Sequence, residues 1–428
     1  MKIPQTIIDI QWAFISIAIS SFIHFIIRIF IGKDLGVDGL GLYTLVFTIY
    51  LFGMQFANFG IGSAITKYVA EDKDDTIKVN MYISKGLISS VIVGILISIL
   101  LFILSPIISA NIFHNSNMEL LLKITAFCFP FIAIQKAVLG ALNGLRKMKY
   151  FALINITNNI ITIITTIILV KIFSYGINGA VIGFVAPTIV VGIISLLMIK
   201  KYFIFPPKIF DDTFKVITSF GFFVMIGNSI SMLNTQINTI LIGYYLDTVE
   251  VGYFAISTTI IQGMVLIPQS IQTISGPSFS RLYRKNDIDS LKLLARRCAI
   301  YTVGVMLIPA ILLILIGNQL ILFLFNNDNE LIFTNQNSPA YLPLVILVLG
   351  YLCYSLFISI GTLYANIGKV KLSFKLNLVS AIISIILNLL LIPMYGIIGA
   401  AIATTTSLIV TTIMNIIVIK ILFRNIST

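Results

Sequence analysis

The sequence predicts an all-α integral membrane protein of about twelve transmembrane helices. Of its 428 residues, 58% are hydrophobic and only 10% are charged, whereas soluble globular domains are nearer half apolar and a quarter charged. Because about 20 apolar residues span a bilayer core, roughly 36 residues for each helix and its loop divide the chain into about twelve spans. Such a division leaves no room for a folded domain outside the membrane.

Long apolar runs separated by short polar gaps define the individual helices. Each run is at least about 20 residues long, which is enough to cross a bilayer core, and charged or turn-forming residues separate it from the next run. The first six runs are Ile8–Ile31, Leu40–Ile65, Ile83–Ile107, Glu119–Asn143, Phe151–Phe173 and Ile177–Ile199. The second six are Val216–Gly243, Val251–Ile274, Cys298–Phe325, Tyr341–Ala365, Leu372–Ile392 and Gly396–Ile419.

Positive charge is concentrated in alternate gaps. All but five of the 28 Lys and Arg residues lie near the termini, in the even-numbered gaps or at the edges of those gaps; the exceptions are Arg28, Lys33, Lys123, Lys136 and Lys171. Cytoplasmic loops of membrane proteins carry an excess of Lys and Arg. The sequence therefore predicts that both termini are cytoplasmic, and the net charge of +12 indicates membrane orientation rather than nucleic-acid binding.

Two sequence patterns recur in the second half of the chain at a nearly constant spacing. Tyr175–Ile177, followed by Gly179, matches Tyr395–Ile397, followed by Gly399, 220 positions later. A second set, 211 positions apart, pairs Ile31, Gly32, Leu35, Gly41 and Tyr43 with Ile242, Gly243, Leu246, Gly252 and Phe254. Coincidence among glycine-rich turns is the alternative, but the common order of the matches favours duplication. Both halves begin on the same side, so the duplication predicts a parallel repeat.

The repeat and the charge pattern together predict the domain organisation. Residues 1–199 are expected to form an N-terminal lobe of six helices, and residues 216–428 a C-terminal lobe of six helices. Residues 200–215 are expected to form a basic cytoplasmic linker between them, because four lysines fall in this short stretch.

Several classes of chemistry have no support in the sequence. None of the sixteen Asp and Glu residues lies deep inside a predicted span, whereas ion-driven pumps usually retain an intramembrane carboxylate. The chain has no GxxxxGK[ST] motif for ATP and no HExxH motif for zinc. Its three cysteines lack metal-ligand spacing. We expect no catalytic residue, no metal site and no cofactor.

Cationic side chains inside predicted spans are the first candidates for a binding site. Arg28, His24 and Ser20 follow one another at steps of four residues in the first helix, so they share a face. Lys136 lies in the inner half of the fourth span. Snorkelling to the headgroups is the alternative for Arg28 and Lys136. Facing a water-filled cavity, these groups would suit an anionic substrate, because guanidinium binds phosphate through paired hydrogen bonds.

Polar side chains in other spans extend the candidate site. They are Asn155 in the fifth span, Asn228 and Asn234 in the seventh and Gln262 in the eighth. Polar groups also hold transmembrane helices together, so packing is the alternative for each amide. Their concentration at the start of each half favours a hydrophilic cavity.

Several stretches of the chain resemble a known transporter family. They are Leu35–Tyr43 (LGVDGLGLY), Phe59–Ala64 (FGIGSA), Lys67–Glu71 (KYVAE) and Leu142–Arg146 (LNGLR), together with the two Tyr-Gly-Ile repeats. They are similar to the polysaccharide-transporter branch of the multidrug/oligosaccharidyl-lipid/polysaccharide (MOP) exporter superfamily, to which oligosaccharide flippases belong. The resemblance covers essentially the whole chain, but its degenerate Gly and aromatic motifs do not identify a substrate.

The resemblance implies two six-helix lobes arranged as a V around a central cavity. It implies that alternating access carries a polyprenyl-(di)phosphate-linked oligosaccharide from the cytoplasmic to the outer leaflet, for cell-surface polysaccharide biosynthesis. Arg28 is the match for the cationic residues that hold the diphosphate in this family. A cation-coupled multidrug exporter of the same superfamily and a membrane-embedded glycosyltransferase or polymerase are the alternatives.

We therefore expect a transporter and not an enzyme. Its expected partners are the lipid-linked oligosaccharide and membrane lipids, with enzymes of glycan assembly as further candidates, and no nucleic acid. It is expected to function as a monomer in the cell membrane, crossing it many times.

Overall fold

The computed structural model describes residues 5–205, 211–326 and 338–427. Within these ranges the chain forms thirteen α-helices and no β-strand. In chain order the helices are α1 (Gln5–Asn58), α2 (Ile61–Glu71), α3 (Thr76–Ile107), α4 (Asn117–Ala126), α5 (Phe129–Gly144), α6 (Met148–Ile167), α7 (Gly176–Ile199), α8 (Asp212–Tyr245), α9 (Thr248–Arg284), α10 (Ile288–Phe325), α11 (Tyr341–Ile358), α12 (Leu363–Asn366) and α13 (Val370–Ser427). A short 3₁₀ helix, Lys200–Tyr202, follows α7.

Two of these helices are too long to cross a bilayer only once. α1 has 54 residues and α13 has 58, and at about 1.5 Å per residue each is more than twice as long as a ~30 Å hydrocarbon core is thick. Each contains one glycine with a non-helical backbone, Gly36 (φ 72°, ψ −176°) in α1 and Gly396 (φ 58°, ψ −140°) in α13. Because glycine adopts positive φ at little cost, these two positions divide each long helix into two spans.

The number of spans agrees with the sequence. Length and composition identify nine helices of the described chain that could each cross a membrane, or ten when α4 and α5 count as one span. α4 and α5 are bent by 43° at the break between them, where Pro130 stands in the first turn of α5. When α1 and α13 are each divided at their glycine, the number of membrane-crossing segments rises from ten to twelve. The prediction of an all-α, multi-pass membrane fold is confirmed.

Aspartates begin the helices that follow short polar turns. The Asp75 carboxylate accepts hydrogen bonds from the backbone N–H groups of Ile77 and Lys78, both at 3.1 Å, and so caps α3. Asp247 caps α9 and Asp287 caps α10 in the same manner. A carboxylate at this position satisfies N–H groups that have no partner within the helix and interacts favourably with the helix dipole.

Two turns have the same backbone conformation in both halves of the chain. Gly176 and Gly396, 220 positions apart, have φ values of 54° and 58°. Arg146 and Gly368, 222 positions apart, have φ values of 56° and 73°, and each follows the end of a helix. Equivalent turns at equivalent positions support the duplication that the sequence predicts.

A second glycine of the repeated motif packs in the same way in both halves. A β-carbon on Gly179 would lie 3.0 Å from the carbonyl oxygen of Leu169. One on Gly399 would lie 2.1 Å from the carbonyl oxygen of Leu391. In both halves, therefore, the glycine three residues after the positive-φ glycine lies against backbone that precedes the turn.

By its internal contacts the described chain divides into two compact units. Unit 1 comprises Met1–Leu35 and Leu42–Ser229, and unit 2 comprises Gly36–Gly41 and Ile230–Thr428. α8 therefore begins in unit 1 and ends in unit 2.

Each unit has its own apolar core. In unit 1 the core lies between α2, α3, α5 and α7, and its fully buried members include Ile61, Ile83 and Ala137. In unit 2 the core includes Phe279 of α9 and Tyr364 of α12, packed with residues of α10, α11 and α13.

α2 and α5 pack closely through glycines. A β-carbon on Gly140 would lie 2.1 Å from the carbonyl oxygen of Gly62. The Thr66 hydroxyl donates a hydrogen bond to the Gly140 carbonyl at 2.9 Å. Gly140 and Gly144 have the GxxxG spacing that lets helix backbones approach one another in membranes. This contact fixes the position of α5, which carries Lys136.

Candidate functional site

The polar face predicted for the first helix lies in unit 1. Arg28 and His24 are partly buried on the segment of α1 before Gly36, and they are close enough to interact electrostatically. Arg28 also lies within electrostatic reach of the Tyr43 hydroxyl, and the His24 ring lies 5.8 Å from that of Phe47. The structure thus brings a guanidinium and an imidazole against aromatic side chains of the same helix.

Five aromatic rings form a cluster that the sequence analysis did not single out. Tyr43, Phe47 and Tyr50 belong to α1, and the ring of Phe184 on α7 lies 4.9 to 6.0 Å from all three. Phe129 of α5 lies 6.3 Å from Tyr50. All except Phe47 are buried, so the cluster packs unit 1 beside the cationic face. Spacing of four and then three residues was the available signal, because it places aromatic side chains on one helical face.

Ser20 is hydrogen-bonded to α6 through Asn159, a residue that the sequence analysis did not single out. The Asn159 amide donates to the Ser20 hydroxyl at 2.8 Å, and that hydroxyl donates to the Ser16 carbonyl at 2.8 Å. Asn155 lies one turn earlier on α6, partly buried, and its amide donates to the Phe151 carbonyl at 3.2 Å. The structure therefore places Asn155 next to the contact with Ser20 rather than in it.

Lys136 lies on α5, where its backbone carbonyl faces Gly62 of α2. Its side chain is partly buried. Among the residues that the structure describes, its ammonium forms no ion pair. An unpaired ammonium among apolar spans is costly, and binding of an anion would lower that cost.

Amides of α8 contact α13 within unit 2. The Asn238 amide donates to the Thr404 hydroxyl at 2.8 Å. The predicted residue, Asn234, makes a longer contact of 3.5 Å with the Ser380 hydroxyl. The side-chain oxygens of Asn238 and Asn388 are buried without a hydrogen-bond partner within the described part of the chain. These contacts match the helix-joining role that polar groups have in membranes.

The remaining two predicted residues have exposed side chains. Asn228 lies in the part of α8 that belongs to unit 1, and Gln262 lies on α9 in unit 2. Of the predicted site residues, Arg28, His24 and Ser20 are therefore grouped on one face of α1 in unit 1. The structure does not add Asn228 or Gln262 to that group.

One ion pair of a buried lysine was missed by the sequence analysis. Lys85 of α3, counted above among the orientation charges, is fully buried and forms an ion pair with Asp211. Asp211 also accepts a hydrogen bond from the Phe214 backbone N–H at 3.1 Å. The hydrogen bond from Lys85, assisted by that from Phe214, holds the pKa of Asp211 below its ordinary value. No sequence pattern connects two residues so far apart in the chain.

The described residues contain no group of three His, Cys, Asp or Glu side chains that could hold a metal ion. Cys128 is buried, Cys298 is partly buried and Cys353 is exposed, and all three are free thiols.

Comparison with protein families identifies the chain. The family model described as polysaccharide biosynthesis protein matches residues 9–283. The chain belongs to this family. A second model, MatE, matches residues 223–390. The resemblance found in the glycine and aromatic motifs is confirmed.

Curated relatives of the family match most of the chain. The probable flippase AglR of Haloferax volcanii is 24% identical over 389 residues, covering 91% of this chain and 78% of the relative. The putative O-antigen transporter of Shigella flexneri is 21% identical over 386 residues, covering 87% of this chain and 88% of the relative.

Solved structures share the fold. The lipid II flippase MurJ in an inward closed conformation matches with a TM-score of 0.78 at 20% identity, over 96% of this chain and 87% of that one. An inward-facing MATE transporter of the MOP superfamily matches with a TM-score of 0.70 at 14% identity, over 95% of both chains. The chain is a multi-pass membrane protein with the fold of MOP superfamily transporters.

Proposed function

We propose that this protein is a flippase that carries a polyprenyl-(di)phosphate-linked oligosaccharide from the cytoplasmic to the outer leaflet. The observation that most supports this function is the cationic face of α1, where Arg28 and His24 lie next to one another within a membrane-spanning unit. Phosphate is bound well by guanidinium, which offers paired donors and keeps its charge. Relatives named as a flippase, an O-antigen transporter and a capsular polysaccharide biosynthesis protein support this substrate class.

The candidate residues divide into two roles. Arg28 and Lys136, with His24 when protonated, bind the phosphate oxygens as cations. The neutral side chains bind hydroxyl groups of the glycan, because amides and hydroxyls both donate and accept hydrogen bonds. These neutral residues are Ser20, Asn155, Asn228, Asn234 and Gln262.

The substrate moves by alternating access of two six-helix lobes. The lobes correspond to residues 1–199 and 216–428, joined by the basic linker 200–215. The support for this arrangement is the repeat of turns and glycine contacts in the two halves, together with the transporter fold.

A cation-coupled multidrug exporter is the second candidate, and the MatE match over residues 223–390 favours it. No Asp or Glu lies deep inside a predicted span, whereas such pumps usually depend on an intramembrane carboxylate. Drug susceptibility of cells with and without the protein separates the two functions, because only the exporter would change it directly.

Further features of the proposal follow from the class of protein. The chain acts as a transporter and not as an enzyme, functions as a monomer, and receives its substrate from enzymes of glycan assembly. It lies in the cell membrane with both termini in the cytoplasm, as the distribution of Lys and Arg indicates.

Cysteine labelling tests the orientation. In a variant without the three native cysteines, Asp74→Cys and Asn286→Cys should react with an impermeant maleimide only after the membrane is opened. Asn117→Cys should react in intact cells. All three side chains are exposed turn or helix-end positions, so access depends on the side of the membrane. External labelling at Asp74→Cys would overturn the orientation.

A leaflet-accessibility assay tests the transport itself. Lipid-linked sugars are labelled from outside with an impermeant reagent in cells with and without the protein. The flippase predicts that the labelled fraction falls without the protein while unlabelled lipid-linked sugars accumulate inside. An unchanged labelled fraction would remove the proposal.

A further inference from the structure

A basic and aromatic surface lies at one end of unit 1, apart from the cationic face of α1. It is defined here as the headgroup patch and comprises Lys147, Lys201 and Tyr202 together with Phe203 and Phe205. Lys147 precedes α6, and the other four residues follow α7 directly. The patch therefore lies where two predicted spans leave the bilayer.

Two ammonium groups of the patch converge on a single tyrosine. The Lys147 ammonium lies 4.8 Å from the centre of the Tyr202 ring and donates a hydrogen bond to the Tyr202 hydroxyl. The Lys201 ammonium lies 5.0 Å from the same ring centre. Cation–π attraction holds each ammonium near the ring, but the two like charges repel one another. An anion placed between them would relieve this repulsion.

No carboxylate in the described part of the chain supplies that anion. Among the described residues, neither Lys147 nor Lys201 forms an ion pair with a carboxylate, and neither does the adjacent Lys200. By contrast, Arg146, next to Lys147, lies 3.5 Å from Asp9.

The patch is held in place by the rest of unit 1. Tyr202 is partly buried and packs against the apolar core formed by α2, α3, α5 and α7. The backbone N–H of Ile204 donates a hydrogen bond to the Ser84 hydroxyl of α3 at 2.8 Å. The chain after α7 is therefore fixed on both sides of Phe203.

Exposed apolar side chains adjoin the two lysines. Phe203 is 39% exposed, Ile204 46% and Phe205 76%. Aromatic residues concentrate at membrane–water interfaces, and anionic lipids of the cytoplasmic leaflet attract nearby Lys and Arg. A cationic pair beside exposed phenylalanines at the end of a span combines both features.

We propose that the headgroup patch binds the phosphate of an anionic glycerophospholipid in the cytoplasmic leaflet. Lys147 and Lys201 bind the phosphate oxygens, and Phe203 and Phe205 insert beside the acyl chains. This site is separate from the one proposed for transport, and its test measures lipid binding rather than flipping.

Native mass spectrometry of the purified, delipidated full chain tests the proposal, with phosphatidylglycerol and phosphatidylcholine titrated in parallel. We expect the Lys147→Gln/Lys201→Gln variant to bind phosphatidylglycerol about tenfold more weakly, because two charge-assisted hydrogen bonds are lost. Phosphatidylcholine binding should not change. The matched control is Lys215→Gln/Lys292→Gln, which removes the same charge from lysines paired with Asp212 and Asp289 at 3.8 and 3.7 Å.

Further variants and a competition experiment distinguish binding at this site from general electrostatic attraction. Lys147→Arg/Lys201→Arg should keep phosphatidylglycerol binding, and the exposed single variant Lys201→Gln should weaken it without affecting folding. Equal loss in the control variant, or equal binding of the two lipids by the unaltered protein, would overturn the proposal. So would displacement of phosphatidylglycerol by the same concentration of inorganic phosphate, because the site would then recognise free phosphate.

Discussion

The carbonyl oxygen of Thr248 lies so close to Gly41 that a β-carbon on Gly41 would stand 1.7 Å from it. A second contact mirrors the first, since a β-carbon on Gly252 would stand 2.1 Å from the carbonyl oxygen of Val37. Gly41 and Gly252 are 211 positions apart, and so are Val37 and Thr248. The two contacts are therefore equivalent under the repeat, because in each a glycine of one half meets the carbonyl group of a residue in the other half, and the two carbonyl residues correspond to one another as the two glycines do. Both contacts lie within unit 2.

The first prediction is that Gly41→Ala destabilises the protein. The added methyl group has no room beside the Thr248 backbone, and forced overpacking costs about 1–3 kcal/mol. Thermal unfolding of the purified protein measures the effect. Gly304→Ala is the control, because Gly304 lies in α10 with no neighbouring atom within 4 Å of its β-carbon position. Equal melting temperatures for the two variants would show that the close contact is unimportant.

The second prediction concerns Gly53 of α1 and Phe129 of α5. A β-carbon on Gly53 would lie 2.0 Å from the tip of the Phe129 ring, so Gly53→Ala should destabilise by about 1–3 kcal/mol. Phe129→Leu shortens the side chain and should tolerate the new methyl group. In a double-mutant cycle we expect a coupling of about 1 kcal/mol or more. Additive effects would mean that the ring moves away without cost.

The third prediction separates two cations of unit 1. Arg28→Ala should abolish flipping while the protein still reaches the membrane, because the charge beside His24 is lost. Lys171→Ala should have little effect, since Lys171 is an exposed side chain paired with Asp34 at 3.8 Å, and exposed ion pairs contribute little. The leaflet assay and membrane immunoblots of the two variants check this. Full activity of the Arg28→Ala variant would contradict a binding role and would indicate that Arg28 snorkels to the headgroups.

The fourth prediction is a pH dependence carried by Asp211. Its pKa is lowered from 3.8 by Lys85, so the pair contributes stability that is complete above about pH 4 and is lost as the pH falls through the folded pKa. Asp211→Asn should be less stable at pH 7, and the difference from the unaltered protein should shrink below about pH 4. Melting curves from pH 7 to pH 3 measure it.

A neighbouring carboxylate provides the control for Asp211. Asp212 is fully exposed and lies 3.8 Å from Lys215, which is also exposed. Asp212→Asn should therefore leave stability unchanged at every pH. If Asp212→Asn changed stability as much as Asp211→Asn does, general charge effects and not the Lys85 pair would be responsible.

Hydropathy predicted the number of spans but not the breaks within them. The run Leu40–Ile65 predicts one helix, whereas the structure ends α1 at Asn58 and begins α2 at Ile61. At this break a β-carbon on Gly60, which has positive φ, would lie 2.2 Å from the Gly221 carbonyl oxygen of α8. Hydropathy measures the apolar length of a run, whereas a kink depends on contacts with helices distant in sequence.

The candidate site, too, was predicted only in part from the sequence. Spacing of four residues correctly placed Arg28, His24 and Ser20 on one face of α1. Spacing alone identified Asn155 as a candidate and did not single out Asn159, which lies one turn later on α6. Only the packing of α6 against α1 selects Asn159.

Gly176 and Gly396 define the register in which the two halves of the chain align. Apolar runs of similar composition can be aligned in several registers with little loss of score, whereas a position with positive φ accepts few residue types. An alignment of the two halves, or of this chain with distant relatives, should therefore be anchored at these turns. Reconstruction of the ancestral gene before duplication would begin from a single six-helix sequence with one such glycine.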